Sequence, residues 1–343
     1  MKKLVALLLA LLMIGTAAAM AEDIVVLVPN ADHGWTGAVL TYATEKVAEI
    51  NAAGKYTAKV VSSSDAANQI SQVEDIIDNA SAKAVVILPQ DNTLETTMKK
   101  LADSGIPFVM FDRVIASVAD KAVASVMGDN EGIGIETAKR FIADGMKPGD
   151  KILVYPGDNS SVPEMRNNGF QKYLGENGWT AEQLAAIEST AYTGWSRSTA
   201  KQLFTQWLDS KTVEEIGEYK WIFTHDSEIA MGMLEALKST EIDDAKKAAF
   251  ENAGVYLASS SGLNEIYSVL KGIHQKDYSA EIAGLADFFD VTYDPAMIKA
   301  ACDDMILFLD GGTPENTHVI AVSVVDKTNV NDFQGFGDAV AVQ

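Results

Sequence analysis

Ile106-Pro107-Phe108-Val109-Met110-Phe111-Asp112-Arg113 decides how this chain folds. Five of its first six residues are apolar and two are aromatic. So short an apolar run, without helical spacing, predicts a buried strand. It ends in an acid and a base side by side. In an open parallel sheet the carboxyl end of a strand faces the crevice where ligands bind. Asp112 and Arg113 are therefore expected where a polar small molecule could be held.

The same reading extends outward. Strands are predicted at 23–28, 59–61, 84–88 and 106–111. A helix begins at Trp35, with Val39, Tyr42, Ala43, Val47 and Ile50 at helical spacing, and ends at Gly54. A second helix carries Ile70, Val73, Ile76 and Ile77 on one face, and a third covers 94–102. The alternation then restarts. Strands are predicted at 123–127, 151–155, 221–224 and 254–257, and helices at 133–142, 163–174, 200–208, 229–237 and 263–270. Strand–helix alternation predicts parallel sheets covered on both faces. No low-complexity linker separates the halves. The expected fold class is α/β: two similar doubly wound parallel-sheet lobes joined by crossover strands. The first lobe is expected to take 22–127 plus about 292–318, and the second 128–291 plus about 319–343.

Composition narrows the function. The 343 residues carry a formal charge of −21 with no basic cluster, which disfavours a nucleic-acid partner. Lys2-Lys3, an apolar run from Leu4 to Ile14, and Ala19-Met20-Ala21 describe a secretory signal peptide over 1–21. The run falls short of the ~20 apolar residues a membrane span needs. A periplasmic location is expected. The single Cys302 leaves no internal disulfide, so stability rests on the core.

Enzyme signatures are absent: there is no G-x-S-x-G, G-x-x-x-x-G-K-[ST], H-E-x-x-H or C-x-x-C. His33, His225, His274 and His318 have no metal-type spacing, so neither metal nor cofactor is expected. Gly128 to Gly134 could resemble a phosphate loop, but its two acids would repel phosphate. Helix capping by Asp129 or Asn130 is the expected role. What recurs instead is a polar or aromatic residue after a strand. His33 and Trp35 follow the first, Asp112 and Arg113 the fourth, Arg166 the strand at 151–155, and Asp226 the strand at 221–224. Asp accepts from hydroxyls, Arg donates through a rigid fork, and aromatic faces pack on sugar C–H groups.

The succession of motifs resembles the type I periplasmic binding proteins of the ribose/galactose/xylose kind, the sugar-capturing components of ABC importers. The resemblance rests on A-D-H-G-W-T-G-A (31–38), S-S-S-D-A-A-N-Q-I-S-Q-V-E-D-I-I (62–77), A-V-V-I-L-P-Q-D (84–91) and G-I-P-F-V-M-F-D-R (105–113). It continues through G-D-N-E-G-I-G (128–134), E-M-R-N-N-G-F (164–170) and H-D-S-E-I-A-M-G (225–232). It implies ligand contacts from His33, Trp35, Asp112, Arg113, Arg166, Trp195 and Asp226, with Asp290 near the family's crossover position. It also implies a monosaccharide or polyol ligand, an ABC permease as partner, a chemoreceptor as a second partner, and a monomer. The family's Asn falls on Asp226, and two features depart from the family pattern: Ala258 to Ser261 holds no acid, and the crossover Gln falls near Asp290 to Thr292. The rival readings are an exported carbohydrate-active enzyme, using Asp112 and Asp226, and a quorum-signal receptor or repressor ligand domain. Against the enzyme, Arg113 is expected to keep Asp112 ionised. Arg166→Ala is expected to remove ligand-induced stabilisation with little change in ligand-free stability.

Overall fold

The computed structural model describes residues 22–30 and 34–337. The leader at 1–21 and His33 lie outside them. Twelve strands form among the described residues: β1 Glu22–Pro29, β2 Ala58–Ser63, β3 Ala82–Ile87, β4 Phe108–Phe111, β5 Ala124–Gly128, β6 Lys151–Tyr155, β7 Glu188–Ser189, β8 Tyr219–Thr224, β9 Val255–Ser261, β10 Leu285–Thr292, β11 Thr317–Ile320 and β12 Val324–Val325. They build two six-stranded sheets, ordered β11-β5-β4-β3-β1-β2 and β12-β10-β9-β8-β6-β7. Every pairing is parallel except β10 with β12.

Burial explains the parallel arrangement. Ile24, Val25, Val26, Leu27 and Val28 are all 0 % exposed, so β1 has no solvent face and no alternation. Such a strand needs helices on both sides, which strand–helix–strand crossovers supply. The helix Gly34–Ala53 buries Trp35, Val39, Ala43, Val47 and Ile50 and stops before Gly54, at φ +72°. Asp129 caps the helix Asn130–Ala143 by accepting from the Gly132 N–H at 2.7 Å.

Both sheets have the same internal order, and each reverses direction at its first strand. The switch points fall at β1/β3 and β6/β8, and ligands in such sheets bind beyond the carboxyl ends there. The chain passes between the sheets after β5, after β10 and after β11. The helix Met297–Leu309, just after β10, packs back onto β4 and β5.

The helices Asn130–Ala143 and Ser161–Glu176 approach unusually closely, because glycines face backbone. A Cβ on Gly134 would sit 2.0 Å from the Arg166 carbonyl oxygen, and one on Gly169 would sit 2.0 Å from that of Glu131. This contact sets Arg166 beside Asn130. In an exposed helix Gly→Ala would add about 1 kcal/mol of stability. Here Gly169→Ala is expected to cost roughly 1–3 kcal/mol by overpacking. Urea unfolding checks it; a stabilised variant would show that the two helices part without penalty.

Candidate functional site

Each sheet presents its loops to one cavity between them. Its lining is Trp35, Asp112, Arg113, Val162, Arg166, Trp195, Asp226 and Tyr293. Trp35 enters from the first turn after β1, stacks 6.0 Å from Phe111, and donates its indole N–H to the Tyr293 carbonyl at 2.8 Å. Asp112 follows β4 at φ +63°, a left-handed conformation that Asp tolerates better than bulkier residues. Its carboxylate accepts from the Tyr293 hydroxyl. Arg113 donates to the Pro89 and Gln90 carbonyls, and reaches Asp158, in the loop after β6, at 3.4 Å. That ion pair links a residue following the first sheet's β4 to one following the second sheet's β6.

From the second sheet, Arg166 is only 2 % exposed. It donates to Asn130 Oδ1 at 2.9 Å, to the His225 carbonyl, and to Ser260 Oγ at 3.1 Å. Its guanidinium lies 5.6 Å from the Trp195 ring and 4.8 Å from the Tyr293 ring. Trp195 is held at φ +61° behind Gly194, and its indole N–H donates to Asp158 at 2.7 Å. A bulky aromatic in that region carries strain of about 1–3 kcal/mol, which typically persists where a site needs it. Asp226 follows β8 and caps the helix Ser227–Lys238 through the Glu228 N–H at 2.8 Å.

Burial governs the charges. It raises Asp112 above the usual carboxylate range, against the opposing pull of Arg113. The attraction of Arg113, expected to favour the charged form of Asp112, is outweighed by loss of hydration, since that guanidinium is paired elsewhere. Burial, then the charge of Glu228, lifts Asp226 to about 7. Burial also lowers Arg166 and holds His225 well below 6.5. Asp158 shows the reverse balance: burial raises it, but Arg113 and the donors from Ser160 and Trp195 outweigh that.

Six of the eight residues singled out in the sequence thus meet at one cavity. His33 lies outside the described residues. Asp290 stands in the middle of β10, 0 % exposed, accepting from Ser227 Oγ at 2.9 Å and Ser259 Oγ at 2.5 Å, and does not line the cavity. The serines of 259–261, where no acid stands, support Asp290 and Arg166. Sequence reading missed Tyr293, Asp158 and the inward role of Asn130, whose amide donates to the Tyr293 hydroxyl at 2.9 Å. Tyr293 follows a strand with acids at 287 and 290, so its position had no apolar run to announce it. Asn130, at the start of a helix, reads from the sequence only as a cap.

Among the described residues no helix is long and apolar enough to cross a membrane. Two doubly wound sheets with their switch-point loops converging on a polar, aromatic-walled cavity define a two-lobed α/β protein of the binding-protein class. The chain belongs to the periplasmic binding protein domain family, whose model matches residues 24–261. It is 25 % identical over 280 residues to a putative rhizopine-binding protein of Rhizobium meliloti, spanning 79 % of this chain and 80 % of that one. It is 26 % identical over 181 residues to the ribose import binding protein RbsB of Bacillus subtilis (strain 168), 52 % of this chain but only 54 % of that protein. A galactofuranose binding protein shares the fold with TM-score 0.71 at 18 % identity, over 91 % of this chain and 96 % of that one. The Caulobacter myo-inositol binding protein does so with TM-score 0.71 at 20 % identity, over 92 % and 96 %.

Proposed function

We propose that this protein is a periplasmic solute-binding protein that captures a monosaccharide or sugar-like polyol and delivers it to an ABC importer. One observation carries the reading: residues from both sheets, predicted separately as ligand contacts, line one cavity. The relatives support it, since they include a ribose import protein and proteins that bind sugars or inositol. Trp35 and Trp195 pack on the faces of the ring. Asp112 and Asp226 accept from its hydroxyls, and Arg113 and Arg166 donate to its oxygens. His33 belongs to the same set as a further hydrogen-bonding contact. A ligand lacking one hydroxyl leaves a buried group unpaired, at a cost of about 1–3 kcal/mol.

The cavity holds about 20 Å³, room for roughly one water molecule, whereas a six-membered carbon ring occupies a cavity on the order of 150 Å³. The lobes must therefore part to admit a sugar, and re-closing around it presents the surface that a permease, or a chemoreceptor, reads. The N-terminal leader directs a monomer to the periplasm. The test is a thermal-shift screen of the mature chain against pentoses, hexoses, polyols and inositols, followed by recovery of the ligand. A shift of several degrees with the ligand recovered intact is expected. No shift with any of them, or a ligand recovered as hydrolysis products, would overturn the reading.

A further inference from the structure

The charges around the cavity do not balance. Asp112 and Asp226 both line it and are each 4 % exposed. Among the described residues, no Lys, Arg or His forms an ion pair with either carboxylate. The guanidiniums beside them are engaged elsewhere. Arg113 lies on two carbonyls and pairs with Asp158, and Arg166 lies on Asn130, the His225 carbonyl and Ser260. With the Arg113–Asp158 pair set aside, two buried carboxylates face a single guanidinium among the described residues. The other nearby acid, Glu228, is already paired with Arg197 at 2.6 Å.

The hydrogen bonds do not make up the difference. Asp112 accepts from the Tyr293 hydroxyl, and Asp226 from the Glu228 backbone N–H and the Ser261 hydroxyl, none of which carries a charge. A buried carboxylate is costly unless it is paired as well as hydrogen-bonded. A neutral sugar brings hydroxyl donors but no countercharge, so burial keeps favouring the protonated form of both groups. A ring that also carries an ammonium group supplies the countercharge and stabilises the ionised carboxylates.

We infer that the preferred ligand is a polyhydroxylated ring bearing a protonated amino group, an amino sugar or aminocyclitol, whose ammonium is held by the unpaired carboxylates of Asp226 and Asp112. The inference rests on the solute-binding reading and deepens it. The ammonium donates charge-assisted hydrogen bonds to Asp226, at the second lobe, and Asp112, at the first, so one group ties both lobes to the ligand.

Calorimetric titration near neutral pH with matched pairs tests it: glucosamine against glucose, galactosamine against galactose, and an amino-deoxy-inositol against myo-inositol. N-acetylglucosamine serves as the uncharged control. One charge-assisted hydrogen bond is worth about 1.5–3 kcal/mol, so at least one amino compound should bind ~10- to ~100-fold more tightly than its neutral partner. Asp226→Asn keeps the helix cap and removes the charge. It should erase most of that preference, and Asp226→Asn with Asp112→Asn should erase all of it. Neutral members binding as tightly as their amino partners, or a preference that survives the double variant, would overturn the inference and leave solute binding standing. Failure of every compound in both sets would overturn this inference, and failure of the pentoses and polyols of the thermal-shift screen as well would overturn the solute-binding reading with it.

Discussion

Arg166→Met should abolish the thermal stabilisation that ligand gives, and should lower the melting temperature of the ligand-free protein by less than Arg166→Ala does. The side chain packs against the Trp195 and Tyr293 rings and is the largest fully buried one among the described residues. Its charge is unfavourably placed, as its lowered pKa records. Removing the donor that buried acceptors depend on is destabilising, but a methionine, close to arginine in length, avoids the added cost of a cavity. Methionine fills the space without the charge. What it cannot do is donate to a ligand oxygen. Two lost charge-assisted hydrogen bonds, at about 1.5–3 kcal/mol each, correspond to a loss of roughly 100-fold or more in affinity. Arg166→Ala differs from the sequence-based expectation. Both variants strip Asn130 and the His225 carbonyl of the Arg166 donor, but alanine also opens a cavity, so its ligand-free stability should drop by roughly 3 kcal/mol, more than with methionine. Calorimetric unfolding with and without ligand separates the two variants. A methionine variant that still gains stability from ligand would place the binding site elsewhere.

The second large effect is a pH dependence with an unusual sign for a carboxylate. Asp226 is raised to about 7 and Asp290 to about 6, both by burial first, from an ordinary 3.8. Between those values and 3.8 the folded chain keeps protons that the unfolded chain has released. Stability contributed by these groups is therefore fully present below about pH 4 and lost as pH rises through about 6 and 7. His225 acts in the opposite sense. Burial keeps its ring neutral, so the unfolded chain gains the proton below 6.5 and stability rises with pH up to that point. Above about pH 6.5 the His225 contribution is flat, and Asp226, with Asp112 raised in the same direction, sets the slope. The ligand-free melting temperature should fall between about pH 6.5 and 8. The full linkage of a three-unit shift is on the order of 4 kcal/mol. Asp226→Asn should flatten the fall and make the protein more stable than wild type near pH 8. A variant with the wild-type slope would mean that Asp226 is already ionised in the folded chain.

The extent to which the site could be read in advance follows from where each residue stands. Asp112, Arg113, Arg166 and Asp226 follow strands or open helices whose apolar runs announced them, and Trp35 and Trp195 stood in recognisable motifs. Tyr293 stood after β10, where Asp287 and Asp290 interrupt the apolar pattern. That strand is buried because Arg140 pairs with Asp287 at 2.7 Å and serines satisfy Asp290, partners far away in the chain. Local patterning cannot foresee a polar group whose burial depends on a distant partner.

By itself the sequence determined the alternation of strand and helix, the parallel sheets and the identity of most of the polar groups beyond their ends. Those properties depend on side-chain periodicity and on backbone chemistry close by in the chain. Only the tertiary structure decided which carboxylates are paired and which are not, and that Asn130, Tyr293 and Arg166 form one buried unit. Hydration lost on burial and distances between remote segments set those outcomes, and neither is written in any local stretch of residues.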